Sequence, residues 1–104
     1  MSVRLIDAAE PVAQARTLVG ATDPASFHER LAALLGFPDY YGRTLDALWD
    51  VLTDRDPDQP GVTVVWPDWA EVAVHRPDWW ARLLDLLRDL DAEPVAPFTL
   101  LLPR

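Results

Sequence analysis

Cysteine and lysine are both missing from this 104-residue chain. Without cysteine, disulfides and thiolate chemistry are excluded. Without lysine, all nine basic residues are arginines, set against 17 acidic residues for a net charge of −8. Such a chain is repelled by nucleic acid and by anionic membranes, and is attracted to basic proteins. Only four glycines are present, and they are scattered, so there is no Gly-rich loop to cradle a phosphate. Serine occurs only at Ser2 and Ser26, and histidine only at His28 and His75. A nucleophile, a base and a group to orient it are therefore poorly supplied. Ser26 and His28, two apart on a helix, point in different directions. No apolar run approaches the length of a membrane span, and Met1 to Asp7 lacks the apolar stretch of a signal peptide. A cytoplasmic protein with no nucleic-acid, membrane, metal or cofactor partner is expected.

What is present is an ordinary globular mixture, 50% hydrophobic and 25% charged. The length predicts one domain over 1–104, large enough to bury a core without staples. Val3 to Ile6, broken by Arg4, reads as an edge strand or an ordered tail. Thr17 to Val19 suits a short strand. Asp23 as N-cap and Pro24 at the first helical position open a helix whose inward face is Phe27, Leu31, Leu34 and Leu35. Gly36 ends it. A second helix is expected from Gly42 or Arg43 to about Thr53. Val62 to Trp66 is the strongest strand signal, and its continuous apolar character predicts burial on both faces. Pro67 to Val74 suggests a short helix. A last helix begins at Pro77 and presents Trp80, Leu83, Leu84, Leu87 and Leu90 to the core. Phe98 to Leu102 reads as a terminal strand. Strands alternating with helices predict an α/β fold with a small three-stranded parallel sheet packed with about four helices.

One stretch organises this pattern. Leu45, Leu48, Trp49 and Leu52 recur at helical spacing and form an apolar stripe. Asp46, Asp50 and Asp54 recur every fourth residue and form a second stripe. Like charges at that spacing repel, each pair costing roughly 0.2–0.5 kcal/mol in an isolated helix. A chain shaped only for folding would alternate the signs. With Tyr40, Tyr41 and Trp49 nearby, the row suggests a surface for a cationic partner. Asp85, Asp89 and Glu93 make a second acidic row on the last helix, softened by Arg82 and Arg88. Trp49 fits either the core or the rim of a binding face.

Other motifs fall short of a site. Asp54, Asp56 and Asp58 open like a calcium loop, but Gln59 stands where glycine is needed and Val65 where the closing glutamate belongs. His28-Glu29-Arg30-Leu31-Ala32 begins like a zinc-protease helix but has Ala32 in place of the second histidine. His28 is expected on the surface of the first helix, and His75 shows no partner. Asp46 and Asp50 could form an acid–base pair, but catalysis also needs a concave pocket that binds substrate, so binding ranks above it.

Pro38-Asp39-Tyr40-Tyr41-Gly42-Arg43-Thr44-Leu45-Asp46-Ala47-Leu48-Trp49-Asp50-Val51-Leu52-Thr53 closely resembles the signature of the barstar family, small intracellular inhibitors of secreted microbial ribonucleases such as barnase. The Tyr-Tyr-Gly and Leu-Asp-Ala-Leu-Trp-Asp pieces are its specific parts. The likeness continues more weakly through the Trp66 strand, the last helix and the terminal strand. It covers roughly residue 16 to the end, with residues 1–15 read as an extension before a 16–104 core. The resemblance implies a non-enzymatic inhibitor, monomeric when free, that blocks a basic ribonuclease or related toxin with an acidic helix and loop. It implies a partner-binding set of Tyr40, Gly42, Thr44, Leu45, Asp46, Trp49, Asp50 and Asp89. In that set Asp50 takes the place of an RNA phosphate, Asp46 faces an arginine, Tyr40 packs on the catalytic histidine, and Asp89 adds a charge contact. Thr44 stands where the best-known pattern has asparagine, and Arg43 where it has an acidic residue. Arg43 would pair with Asp39 or Asp46. The alternatives are an immunity or regulatory module with a different, non-ribonuclease toxin, and a carboxylate-based enzyme.

Overall fold

A computed structural model describes residues 2–8, 10, 12 and 14–104. Its elements follow in the order β1 (Val3–Ile6), β2 (Arg16–Thr17), α1 (Pro24–Leu35), α2 (Leu45–Thr53), β3 (Val62–Val65), α3 (Trp69–His75), α4 (Pro77–Leu90) and β4 (Phe98–Pro103). The strands form one parallel sheet in the order β1-β4-β3-β2. The sheet thus has four strands, not the three expected. The added strand is Val3–Ile6, which runs beside β4 with Val3 opposite Leu100 and Ile6 opposite Pro103. Leu100 N–H donates to the Ser2 carbonyl at 2.7 Å, and Arg104 N–H to the Ile6 carbonyl at 2.9 Å. Of the two readings of Val3 to Ile6, edge strand or ordered tail, the structure has the edge strand; Arg4 breaks the apolar run, but an edge strand tolerates an exposed charge.

The two central strands are the most apolar. Val64 of β3 and Leu100, Leu101 and Leu102 of β4 are buried, as parallel strands covered on both faces require. β2 is shorter than the sequence suggests, but its pairing carries on through Leu18 N–H, which donates to the Val65 carbonyl at 2.8 Å.

The helices are placed by their caps. Asp23 and Ser26 form a capping box at the start of α1, with Ser26 N–H donating to Asp23 Oδ1 at 2.8 Å. Gly36 ends α1 in the left-handed region at φ 69°. α2 begins later than expected, at Leu45. Thr44 is extended and its Oγ1 accepts the Ala47 N–H at 3.0 Å, while Arg43 at φ 53° holds the chain out of the helix. Leu45, Leu48 and Leu52 form the buried face of α2. On α4 the buried face is Leu83, Leu86, Leu87 and Leu90; Trp80 and Leu84 are only partly covered, and Leu86 joins the face unforeseen. Trp66 is fully buried and its Nε1–H donates to the Ala21 carbonyl at 2.8 Å, which fixes the start of α1 against the sheet. Phe27 packs on it with ring centres 4.7 Å apart.

Two histidines differ from expectation. His75 lies 3.5 Å from Glu71 on α3, one helical turn away. His28 is buried among aromatic rings instead of lying on the surface. Its position one step from Phe27 puts it on the edge of the inward stripe, where a polar partner makes burial tolerable.

A methyl group added at Gly36 meets nothing within 4 Å, so substitution there charges only for backbone conformation. Gly36→Ala is expected to lower the unfolding free energy by about 1–2 kcal/mol in urea. Unchanged stability would contradict the left-handed cap.

Candidate functional site

The site is built on α2. Its buried leucines hold the helix against the core and leave Asp46 and Asp50 exposed on the outside. Among the described residues, neither carboxylate has a hydrogen bond or ion pair to another side chain. Asp46 lies in the first turn, where the helix dipole favours an anion. Asp50 and the C-cap Asp54 lie toward the end where it disfavours one, and no basic residue stands in the last turn. The dipole therefore supports Asp46, whereas Asp50 and Asp54 work against helix stability.

Two concavities flank the row. On one side a cleft of about 310 Å³ separates α2 from α4 and is lined by Leu45, Asp46, Trp49, Asp85, Leu86, Asp89 and Arg82. Three carboxylates face one guanidinium there, and Arg88 lies 3.3 Å from Asp85 on its exposed side. On the other side a depression of about 460 Å³ is lined by Pro38, Tyr40, Asp50, Asp54 and Arg55, among others. Arg55 donates to the carbonyls of Pro60, Ala96 and Pro97, so its guanidinium ties the loop after α2 to the start of β4.

The eight residues singled out by sequence are distributed over this one face. Leu45, Asp46, Trp49 and Asp89 meet at the cleft, and Tyr40 and Asp50 at the depression. Gly42 and Thr44 line neither. They lie at the entry to α2, where Thr44 is engaged as the N-cap and Gly42 is exposed. Leu45 is buried and acts as a wall. Trp49 is half-buried, so both readings of it apply in part. Tyr40 is 87% exposed, a large aromatic ring held in water. Arg43 is exposed and, among the described residues, pairs with neither Asp39 nor Asp46. Sequence reasoning missed the wall contributed by Leu86 and the anchoring by Arg55. Leu86 carried a weak signal, three residues after Leu83, whereas no local spacing links Arg55 to residues 96 and 97.

The loop bearing Tyr40 is fastened from behind. Tyr41 is buried, and its hydroxyl shares a hydrogen bond of 2.6 Å with His28 Nδ1 on α1. The Phe37 ring meets Tyr41 edge-on at 4.9 Å, and Tyr41 N–H donates to the Pro38 carbonyl at 2.9 Å. Burial pushes the Tyr41 phenol up and pulls the His28 imidazolium down to about 4 from its usual 6.5. The unfolded chain therefore binds one more proton than the folded chain between these values. The contribution of His28 is fully present above pH 6.5 and is lost as the pH falls from 6.5 to 4. The loss amounts to about 2 kcal/mol after allowance for solvent screening. Urea unfolding of the parent is expected to weaken between pH 6.5 and 5, while His28→Gln, which cannot titrate, shows a flatter profile there. Equal slopes would remove His28 from this role.

The model of the family described as "Barstar (barnase inhibitor)" matches residues 14–102. A protein of Bacillus subtilis (strain 168), named "Putative ribonuclease inhibitor YrdF", is 69% identical over 26 residues. That segment is 25% of this chain and spans only 29% of the length of the Bacillus protein. The family match covers most of the chain, including α1 to α4 and all but the first strand of the sheet. The chain belongs to the barstar family.

Proposed function

We propose that this protein inhibits a basic, secreted microbial ribonuclease by covering its active site with the acidic face of α2 and the Tyr40 loop, and that it does so in the cytoplasm without being an enzyme itself. The observation that carries this reading is the exposed pair Asp46 and Asp50, unpartnered among the described residues and set on a packed helix between two concavities. A ribonuclease must gather cationic groups to stabilise phosphate charge. Carboxylates on a packed helix can satisfy those groups and offer no bond to cleave. Asp50 takes the place of the phosphate, Asp46 faces an arginine, and Tyr40 covers a catalytic histidine. Asp89, across the cleft from Asp46, extends the charged surface.

The anionic face also speeds encounter with a basic enzyme, an effect weakened by salt. Barnase and barstar are the reference case for such capture, so the effect is a family inheritance and not new to this chain. Arg43 favours a partner that differs from barnase itself. Exposed in the left-handed region beside the face, it adds a positive charge that an acidic group on the partner's rim would match better than a basic one.

The test is titration of the protein into a microbial ribonuclease assay. Asp50→Ala is expected to weaken inhibition most, by about thirtyfold or more, because it strands desolvated cations on the enzyme. Tyr40→Ala and Asp46→Ala follow. Inhibition by Asp50→Ala equal to that of the parent would overturn the roles assigned here. Gly42→Ala retains the fold, since the new methyl meets only the Ala47 Cβ at 3.4 Å, and so reports on the contact surface alone.

A further inference from the structure

The edge strand β1 lies outside the matched family region and carries a second surface. β1 is an edge strand, and among the described residues no strand pairs with its outer side. Ser2 and Ile6 carbonyls accept from β4, so by the alternation of a parallel ladder the main-chain groups of Val3 and Leu5 point outward. Beneath that edge the helices overhang the sheet. A groove of about 420 Å³ is lined by Val3, Arg4 and Leu5 of β1, Leu102 of β4, Trp69 of α3, and Trp80 and Leu84 of α4. Its wall is preformed. Trp69 Nε1–H donates to the Pro103 carbonyl at 2.7 Å, and the Trp69 and Trp80 rings stack with centres 5.6 Å apart. Leu5 is 50% exposed at the lip.

We propose that the outer edge of β1 accepts an extended segment of a partner protein with the alternation apolar–acidic–apolar. The incoming strand pairs its main chain with Val3 and Leu5. Its apolar side chains lie on the groove side, above Leu84 and Trp80, as strand addition requires. Its acidic side chain lies opposite Arg4, which borders the groove as part of the strand and whose side chain alternates to the face of β1 away from Val3 and Leu5. Arg4 is exposed and, among the described residues, has no ion pair; the neighbouring Asp7 carboxylate lies 3.6 Å from Arg104. Arg4 also disfavours a second copy of this chain. Antiparallel pairing of two β1 strands through Val3 and Leu5 places the two Arg4 side chains directly opposite each other.

The probe is a blocked peptide Thr-Val-Glu-Val-Thr, compared with Thr-Val-Gln-Val-Thr at a salt concentration that screens the net charge. Binding is read from amide shifts and exchange protection by nuclear magnetic resonance and from tryptophan fluorescence. The expected result is protection confined to the Val3 and Leu5 amides on β1 and about 1.5-fold to fivefold tighter binding of the glutamate peptide. Arg4→Gln, folded by circular dichroism, is expected to bind both peptides equally. Leu84→Asp is expected to bind neither. Absence of binding, shifts centred on α2, a glutamate preference that survives Arg4→Gln, or self-association of the parent through β1 would each overturn the proposal. Ribonuclease inhibition is not involved in any of these readouts, so they stand or fall apart from the α2 surface.

Discussion

Helix α2 can carry its acidic row only because its opposite side is buried. Nine residues are too few for a stable isolated helix, and the charges of this one repel each other and oppose its dipole toward the C-terminal end. Leu45, Leu48 and Leu52 compensate through the core. Each fully buried leucine is worth roughly 1.5–3 kcal/mol, several times the repulsion between a pair of aspartates one turn apart. Packing therefore decides that the helix forms, and the exposed face is left free to serve another protein.

The rest of the molecule keeps that face in register. Trp66 and Phe27 seat α1 on the sheet, and α1 in turn supplies His28 to Tyr41. The chain segment that holds Tyr40 in water is thus secured by a neighbour facing inward. α4 has two sides in use. Its Asp85 and Asp89 close the cleft beside α2, while its Trp80 and Leu84 overhang β1. Two surfaces of different chemistry, one anionic and one apolar with a cationic rim, lie on opposite sides of one helix.

Much of this was legible in the residues. Asp23, Pro24 and Gly36 marked α1 to the residue because caps are local chemistry. Leu45, Leu48 and Leu52 fixed the inward face of α2, and the aspartates fixed the outward one. What was hidden or left open depends on distant partners. Val3–Ile6 becomes a strand only because β4 has a vacant edge. His28 is buried only because Tyr41 returns thirteen residues later with a hydroxyl to meet it. Arg43 in the left-handed region delays the start of α2, a strain that no periodicity reveals. Clustering of Asp46 and Asp89 needed the contact between α2 and α4, which two rows of charge suggested but could not place.

The central claim is that the acidic row exists for a partner and not for the fold. Its most direct measurement is urea unfolding of Asp50→Asn and of the parent, each alone and with excess of a ribonuclease that the parent inhibits. Asp50→Asn alone is expected to be at least as stable as the parent, yet to gain much less stability from the ribonuclease. A variant that is less stable alone, or one that gains as much from the enzyme as the parent does, would contradict it.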